Sequence, residues 1–434
     1  MTTPLFSITI PTYNRGDLLT FAIQSILKQT WSDFEIVVSD NHSTDDTARV
    51  VKGFTDSRIR YVKPPQHVVT VDSFEFARSN ARGKLVIVLN DDDVLVATAL
   101  ERFAGEFQSH GADLIFSKNA EYRDQTFPGP DRNSLEMPAF SGSSRTVTVD
   151  EFIRPAFECR LVFNQHPSAF VFSRALAESI TTRCGRFFQS NGVEYCAWPL
   201  AAMFAKRIQH IDAPLAICGR TGKSWGSNLV IGKAGKKRIK ELIDIYYINQ
   251  QFKHAPLKNF TMCNLRAEGI LTAKHLFPNE FAPYEFDEQK YLRDTMAELN
   301  QRRANGVDMR KEMEEITQYL SKYPALLETL TREDRNLQLA RQKTLGRQVR
   351  AAIGDLGARQ LRDQMKTRRE QEIRRSQDAA KVKQGNVRSG FHVSGSDFGF
   401  FSILECAEFL TTLGLDTHGA EQRALPNTEV APEI

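Results

Sequence analysis

The sequence predicts an α/β fold: a mostly parallel sheet with helices on both faces, followed by a mainly α-helical C-terminal region. Three observations predict it. Over the first hundred residues, short runs rich in Ile, Val and Phe alternate with stretches of helical periodicity. The runs are nearly continuous in apolar residues, as in strands covered on both faces. After about residue 230 the strand pattern fades and helical periodicity dominates to about residue 383.

Residues 6–10 read as the first strand. Leu18, Leu19, Ala22, Ile23, Ile26 and Leu27 recur at helical spacing after a turn containing Asn14 and Gly16. Residues 34–38 form a second strand, and the polar stretch from Asp40 to Asp46 ends in N-cap residues for a helix through Val51. Residues 59–62 are a third strand, 72–81 a helix and 85–89 a fourth strand. A helix near 96–109 and a strand at 113–116 follow. Residues 123–147, rich in Pro, Gly and Ser, read as a long loop of the kind that often covers a site. Strands at 168–173 and 208–218 flank a helix at 194–206. Near the end, Ile403, Leu404, Ala407, Leu410 and Leu413 share one face of an amphipathic helix.

A chain of 434 residues calls for two or three domains. The expected division is 1–228 for the α/β unit, 229–388 for a basic helical region, and 389–434 for a C-terminal segment with one helix and a disordered tail. With 41% hydrophobic and 25% charged residues the composition is that of a globular protein. A net charge of +4 argues against a surface built throughout to grip nucleic acid. No apolar run approaches the roughly 20 residues of a membrane-spanning helix, and the N-terminus carries no leader pattern. Six scattered cysteines, without a Cys-x-x-Cys pair, suit neither a disulfide framework nor a zinc site, so a reducing cytoplasm is expected.

In parallel sheets ligands sit at the carboxyl ends of the strands. Three polar clusters fall there: Pro11-Thr12-Tyr13-Asn14-Arg15, Asp40-Asn41, and Asn90-Asp91-Asp92-Asp93. Adjacent carboxylates repel one another unless a cation shares them, and oxygen ligands suit Mg²⁺ or Mn²⁺ completed by substrate phosphates. The other reading is that Asp92 and Asp93 cap the following helix.

Taken together, Ile10-Pro11-Thr12-Tyr13-Asn14-Arg15, Val37-Val38-Ser39-Asp40-Asn41 with Ser43-Thr44-Asp45, and Ala81-Arg82-Gly83 leading to Leu89-Asn90-Asp91-Asp92-Asp93 resemble a family 2 glycosyltransferase over roughly residues 5–225. The resemblance implies the GT-A fold, Rossmann-like, and a nucleotide-sugar donor. It implies that Pro11, Thr12 and Tyr13 border the nucleoside with Asn41 nearby, and that Asp40 hydrogen-bonds the base. Asp91 would lie at the donor, and Asp92 and Asp93 at a metal, Mn²⁺ or Mg²⁺. Asn90 stands where the family's first Asp is usual. Asp92 is the natural metal ligand, although an Asp91-x-Asp93 register also restores the spacing.

Gly192 to Trp198 is similar to the family's acidic segment ending in Trp, which places Glu194 as the catalytic base. An acidic residue complementing the helix dipole is the plainer alternative. His166 reads either as a polar residue near the acceptor or as a satisfied loop histidine. Arg220 and Lys223 follow the last strand, where the family has a segment folding over the diphosphate. Trp225 could stack on a sugar or simply pack, and Thr221 to Ser227 contains no His or Asp to add a metal ligand.

From Arg332 to Arg388 there are 16 Lys and Arg against 7 Asp and Glu, a net +9 that leaves the rest of the chain at −5. A solvated basic face, an anionic membrane surface and nucleic acid compete as readings. Nucleic acid is disfavoured by the shortage of interleaved aromatics. The whole pattern suggests an inverting, metal-dependent transferase. It would carry sugar from a nucleotide-diphosphate donor, UDP before GDP or TDP, to a saccharide or lipid-linked acceptor in surface polysaccharide synthesis, at the cytoplasmic side of a membrane. The competing expectation is a catalytically weak nucleotide-sugar-binding or scaffolding subunit.

Overall fold

The computed structural model describes residues 3–353 apart from 130, 161, 164, 191 and 225–251, and beyond 353 residues 374, 377–382, 388 and 390–413. Four parallel strands form the first half of one sheet in the order β4-β1-β2-β3: β1 (Phe6–Thr12), β2 (Phe34–Asp40), β3 (Ile59–Val62) and β4 (Leu85–Val88). Every residue of β1, β2 and β4 is buried. That burial explains why these strands are apolar without alternation. The helices α1 (Gly16–Leu27), α2 (Thr47–Lys52) and α3 (Thr70–Ser79) make the crossovers. Helix α2 starts beyond the polar stretch of 40–46. Asp45 accepts from the Thr47 amide at 3.0 Å and from the Gly16 amide at 3.1 Å, tying the first turns of α1 and α2 together.

The second half of the sheet is mixed. Strand β9 (Phe170–Ser173) runs antiparallel between β4 and β6 (Leu114–Arg123). Strand β10 (Ile208–Arg220) runs parallel to β6 and antiparallel to β5 (Val94–Leu95) and β8 (Ser144–Val147). Helices α4 (Ala99–His110), α5 (Val149–Phe157), α6 (Arg174–Cys184) and α7 (Val193–Phe204) complete this half. The stretch 123–147 is not one loop. It contains β7 (Ser134–Met137), paired with β6, and β8, an exposed edge strand. Neither has an apolar run of its own, because each is held by its neighbour's ladder.

The helical region comprises α8 (Met262–Leu276), α9 (Glu288–Ala304), α10 (Arg310–Leu320) and α11 (Pro324–Ile353). Its residues divide between two cores. Ile270, Ala273, Phe277 and Phe281 join the core of the sheet unit, whereas Leu257, Tyr291, Leu299, Ile316 and Leu330 form a cluster of their own. The C-terminal segment does not stand apart. Strand β11 (Phe391–Ser394) adds antiparallel to β7, and α12 (Ile403–Thr412) buries Ile403, Cys406, Ala407 and Leu410 in the main core. The expected 228/229 boundary and the tail beyond Leu413 lie outside the described residues, as does much of the basic stretch, including Arg359 to Arg369. Among the described residues no helix is long and apolar enough to cross a membrane.

Candidate active site

The ladder registers bring the polar clusters to one edge. Thr12 faces Asp40 between β1 and β2, and Thr9 faces Val88 between β1 and β4, so the segments after all three strands emerge together. A cavity of about 680 Å³ opens there. Pro11, Thr12, Tyr13, Arg15, Asn41, Asn90, Asp91 and Asp92 line one side, and His166, Glu194, Tyr195, Arg220 and Arg266 also line it.

At one end Tyr13 packs against His67 with ring centroids 4.7 Å apart. The Asn41 side chain clamps the 68 backbone, donating to the Val68 carbonyl at 2.7 Å and accepting from its amide at 2.9 Å. Asp40 differs from its expected place. It is fully buried behind the cavity wall, accepting from the Ser43 amide at 2.8 Å, from the Tyr61 hydroxyl, and from Lys63 at 2.9 Å. Burial works against its charge, but these donors outweigh it and hold the carboxyl below the usual range. With both oxygens engaged, Asp40 supports the wall that Asn41 presents.

The three adjacent carboxylates separate in function of position. Asp91 accepts from Thr12 Oγ1 at 2.7 Å and from Arg15 Nη1 at 2.8 Å. Asp92 stands 3.3 Å from the same Arg15 nitrogen and accepts from Ser224 Oγ at 2.7 Å. Asp93 turns away. It is 1% exposed, accepts from Ser168 Oγ at 2.5 Å and from the Gly219 amide at 2.9 Å, and does not line the cavity. It therefore acts as a strut between the turn before β9 and β10, not as a wall residue. Gly219 is required by this closeness, since a Cβ there would meet the Asp92 carbonyl at 2.0 Å. Burial, with the neighbouring Asp92 charge, raises Asp93 well above the usual carboxylate range.

The residues after β10 close over this corner. Arg15 also donates to the Lys223 carbonyl at 2.5 Å, and Lys223 pairs with Asp17 at 2.8 Å. Arg220 pairs with Glu121 at 2.5 Å. Trp225 lies outside the described residues.

Glu194 sits in the first turn of α7. Four residues on, Trp198 is fully buried, stacks on Phe170 at 4.4 Å and donates its Nε1–H to the Gln165 carbonyl at 2.9 Å. That anchor fixes the helix start, and with it the Glu194 side chain, against β9. Burial raises the Glu194 carboxyl above its ordinary 4.5, opposed by the helix amide and by the Arg266 guanidinium. His166 stands 3.3 Å from Asp93, and burial together with Arg220 pushes it down to about 4, leaving it neutral near pH 7.

Two groups of side chains could hold a cation. Asp91 and Asp92 face the cavity and already share one guanidinium, which shows how negative the corner is. Asp93, His166 and Cys218 bring one ligand atom each within 4.8 Å of one another. Hard ions such as Mg²⁺ and Mn²⁺ favour oxygen sets, and burial pushes the Cys218 thiol well up, so the Asp91–Asp92 corner fits such an ion and the mixed group does not.

Arg15, His67 and Arg266 were not singled out by sequence. Arg15 could have been, since it closes the first motif. Arg266 could not, because only the packing of α8 brings it here.

Residues 7–181 match the family model described as glycosyl transferase family 2. A β-1,3-glucosyltransferase of Campylobacter jejuni acting on GalNAc(5)-diNAcBac-PP-undecaprenol is 39% identical over 100 residues, 22% of this chain and 32% of that protein. WfgD of Escherichia coli, a UDP-Glc:α-D-GlcNAc-diphosphoundecaprenol β-1,3-glucosyltransferase, is 34% identical over 97 residues, 22% and 38% of the two chains. GlyG, a glycosyltransferase of Streptococcus pneumoniae, is 27% identical over 120 residues, 27% and 40%. The matches thus span well under half of each relative. The matched stretch carries β1 to β4 and the whole carboxylate corner, so over residues 7–181 this chain is similar to glycosyl transferase family 2.

Proposed function

We propose that the protein is an inverting glycosyltransferase that uses a divalent ion and moves a sugar from a UDP-sugar donor to a lipid-linked saccharide acceptor in surface glycan synthesis. One observation carries this reading: a carboxylate pair suited to a hard cation and a separate carboxylate suited to a base open into the same cavity. The diphosphoundecaprenol acceptors named for two relatives support the acceptor class. A lipid-linked acceptor would bring the protein to a membrane surface, and the basic stretch from Arg332 to Arg388 supports that placement.

In this mechanism Tyr13, His67 and Asn41 border the nucleoside, and Asp40 stiffens the loop behind them. Asp92, with Asp91 beside it, would hold Mn²⁺ or Mg²⁺, which offsets charge on the departing diphosphate. Arg15, now shared by both carboxylates, is the resident cation of that corner and lies within reach of the same charge. Glu194 takes the acceptor proton as its oxygen attacks the anomeric carbon from the side away from the diphosphate. Asp93 and Trp198 keep the two halves of the site in register.

A scaffolding role gains nothing from the geometry, because a carboxylate suited to a base and a carboxylate pair suited to a cation face one space. Calorimetric titration of UDP tests the reading. Binding is expected, and it should tighten when Mn²⁺ is added. No UDP binding under either condition would overturn it.

A further inference from the structure

The helical region reaches into the cavity, and the way it does so is built into the packing of two helices. Met262, Leu265, Arg266 and Gly269 lie on one face of α8, at spacings of three and four residues. That face meets the first turn of α7 at two glycines. A Cβ on Gly269 would meet the Tyr195 backbone at 2.7 Å, and one on Gly192 would meet the Leu265 carbonyl at 2.3 Å. The close approach sets the Arg266 guanidinium 5.5 Å from the centre of the Tyr195 ring, beside Glu194.

Arg266 is oddly provided for. Its Nε is buried without a hydrogen-bond partner among the described residues. No described carboxylate lies within ion-pair distance of it, whereas Arg15 and Arg220, the other arginines of the cavity wall, are both paired. Glu298, on α9, is already committed to the Met262 and Cys263 amides, at 2.9 and 3.2 Å, and to Arg302. With Glu194 and Glu298 near it but neither within ion-pair distance, a guanidinium held in a partly desolvated wall can take an anion from outside. The cavity it lines also carries the apolar side chains of Val162, Phe163, Met262 and Leu265.

We propose that the helical region supplies the acceptor subsite and that Arg266 binds a phosphate-type anion carried by the acceptor. The inference rests on the glycosyltransferase reading and adds the chemical class that the acceptor must present. A donor diphosphate has the same chemistry, but the cation corner at Asp91 and Asp92 serves it. Arg266 lies instead beside the base, the side from which the acceptor must approach. A planar fork of N–H donors suits a phosphate better than a neutral sugar hydroxyl.

The test fills the donor site first. Wild-type protein saturated with UDP and Mn²⁺ is titrated calorimetrically with citronellyl diphosphate, a short isoprenyl diphosphate. The same titration is run on Arg266→Ala and Arg266→Lys. Salt-sensitive binding is expected in the wild type, weakened about tenfold or more by Arg266→Ala and partly restored by Lys, since the charge returns without the fork. UDP affinity should be the same in all three proteins. Absence of binding to the wild type, or equal affinity in Arg266→Ala, would overturn the proposal. So would a loss of UDP affinity in Arg266→Ala, because the phosphate held would then be the donor's. Failure of the wild type to bind UDP at all would instead remove the transferase reading beneath it.

Discussion

Glu194→Gln is expected to lower kcat by about 10²–10⁴ while leaving UDP affinity unchanged. The amide has the size and shape of the carboxylate and can still accept a hydrogen bond, but it cannot take the acceptor proton. The magnitude separates this role from the plainer one. An acidic residue that only complements the start of α7 would contribute about 0.3–1 kcal/mol to stability and nothing to turnover. A thermal melt of the variant should therefore move little while its rate collapses. If the rate persists and only the melt shifts, Glu194 is a helix-terminus residue and the base lies elsewhere.

The same residue predicts the pH profile. Burial raises the Glu194 carboxyl above 4.5, so the group stays protonated to a higher pH than an exposed glutamate. A base works only when deprotonated. Activity should thus rise with pH through that raised value and be lost below it, and kcat/KM of the free enzyme should show the limb. The residual activity of Glu194→Gln should lack it.

Asp92→Ala is expected to abolish the tightening of UDP by Mn²⁺, an effect of about 10–100-fold in affinity. The carboxylate faces the cavity at the end of β4 and shares Arg15 with Asp91. Its loss leaves Arg15 to Asp91 alone and halves the charge that would draw a divalent ion. Calorimetric titration of UDP with and without Mn²⁺ reads this directly. Asp93 provides the contrast within the same motif. Its oxygens bind Ser168 and the Gly219 amide, so its removal should damage folding before it alters ion dependence. Equal Mn²⁺ response in Asp92→Ala and wild type would move the ion to another set of ligands.

The parallel half of the sheet was legible because its strands are buried on both faces and therefore spelled in uninterrupted Ile, Val and Phe, as in Val37 and Val38 of β2 and the Leu85-Val86-Ile87-Val88 run of β4. The edge strands were not. Ser144-Arg145-Thr146-Val147 has three exposed residues and is a strand only through its ladder to β10. Strand β11 joins β7 from more than 250 positions away along the chain, a partnership that no local pattern records. In the site, the motif residues of β1, β2 and β4 could be placed because strand ends dictate where they emerge. Which of three adjacent aspartates faces the cavity could not, since that depends on the local turn and on Gly219 arriving from β10. Asp40 misled for a similar reason. Its position after β2 is right for a ligand residue, but Tyr61 and Lys63 of the neighbouring strand and its exit reach its carboxylate first.

Sugar transfer with inversion at a metal-assisted donor site, with Glu194 as base, can be tested without the acceptor. Water can replace the acceptor, so UDP-α-glucose and UDP-α-GlcNAc with Mn²⁺ can be followed by proton NMR as the free sugar first appears. The β-anomer should form first in the wild type, and neither anomer should accumulate with Glu194→Gln. Release of the α-anomer first, or equal β-anomer formation by the Glu194→Gln variant, would contradict the account.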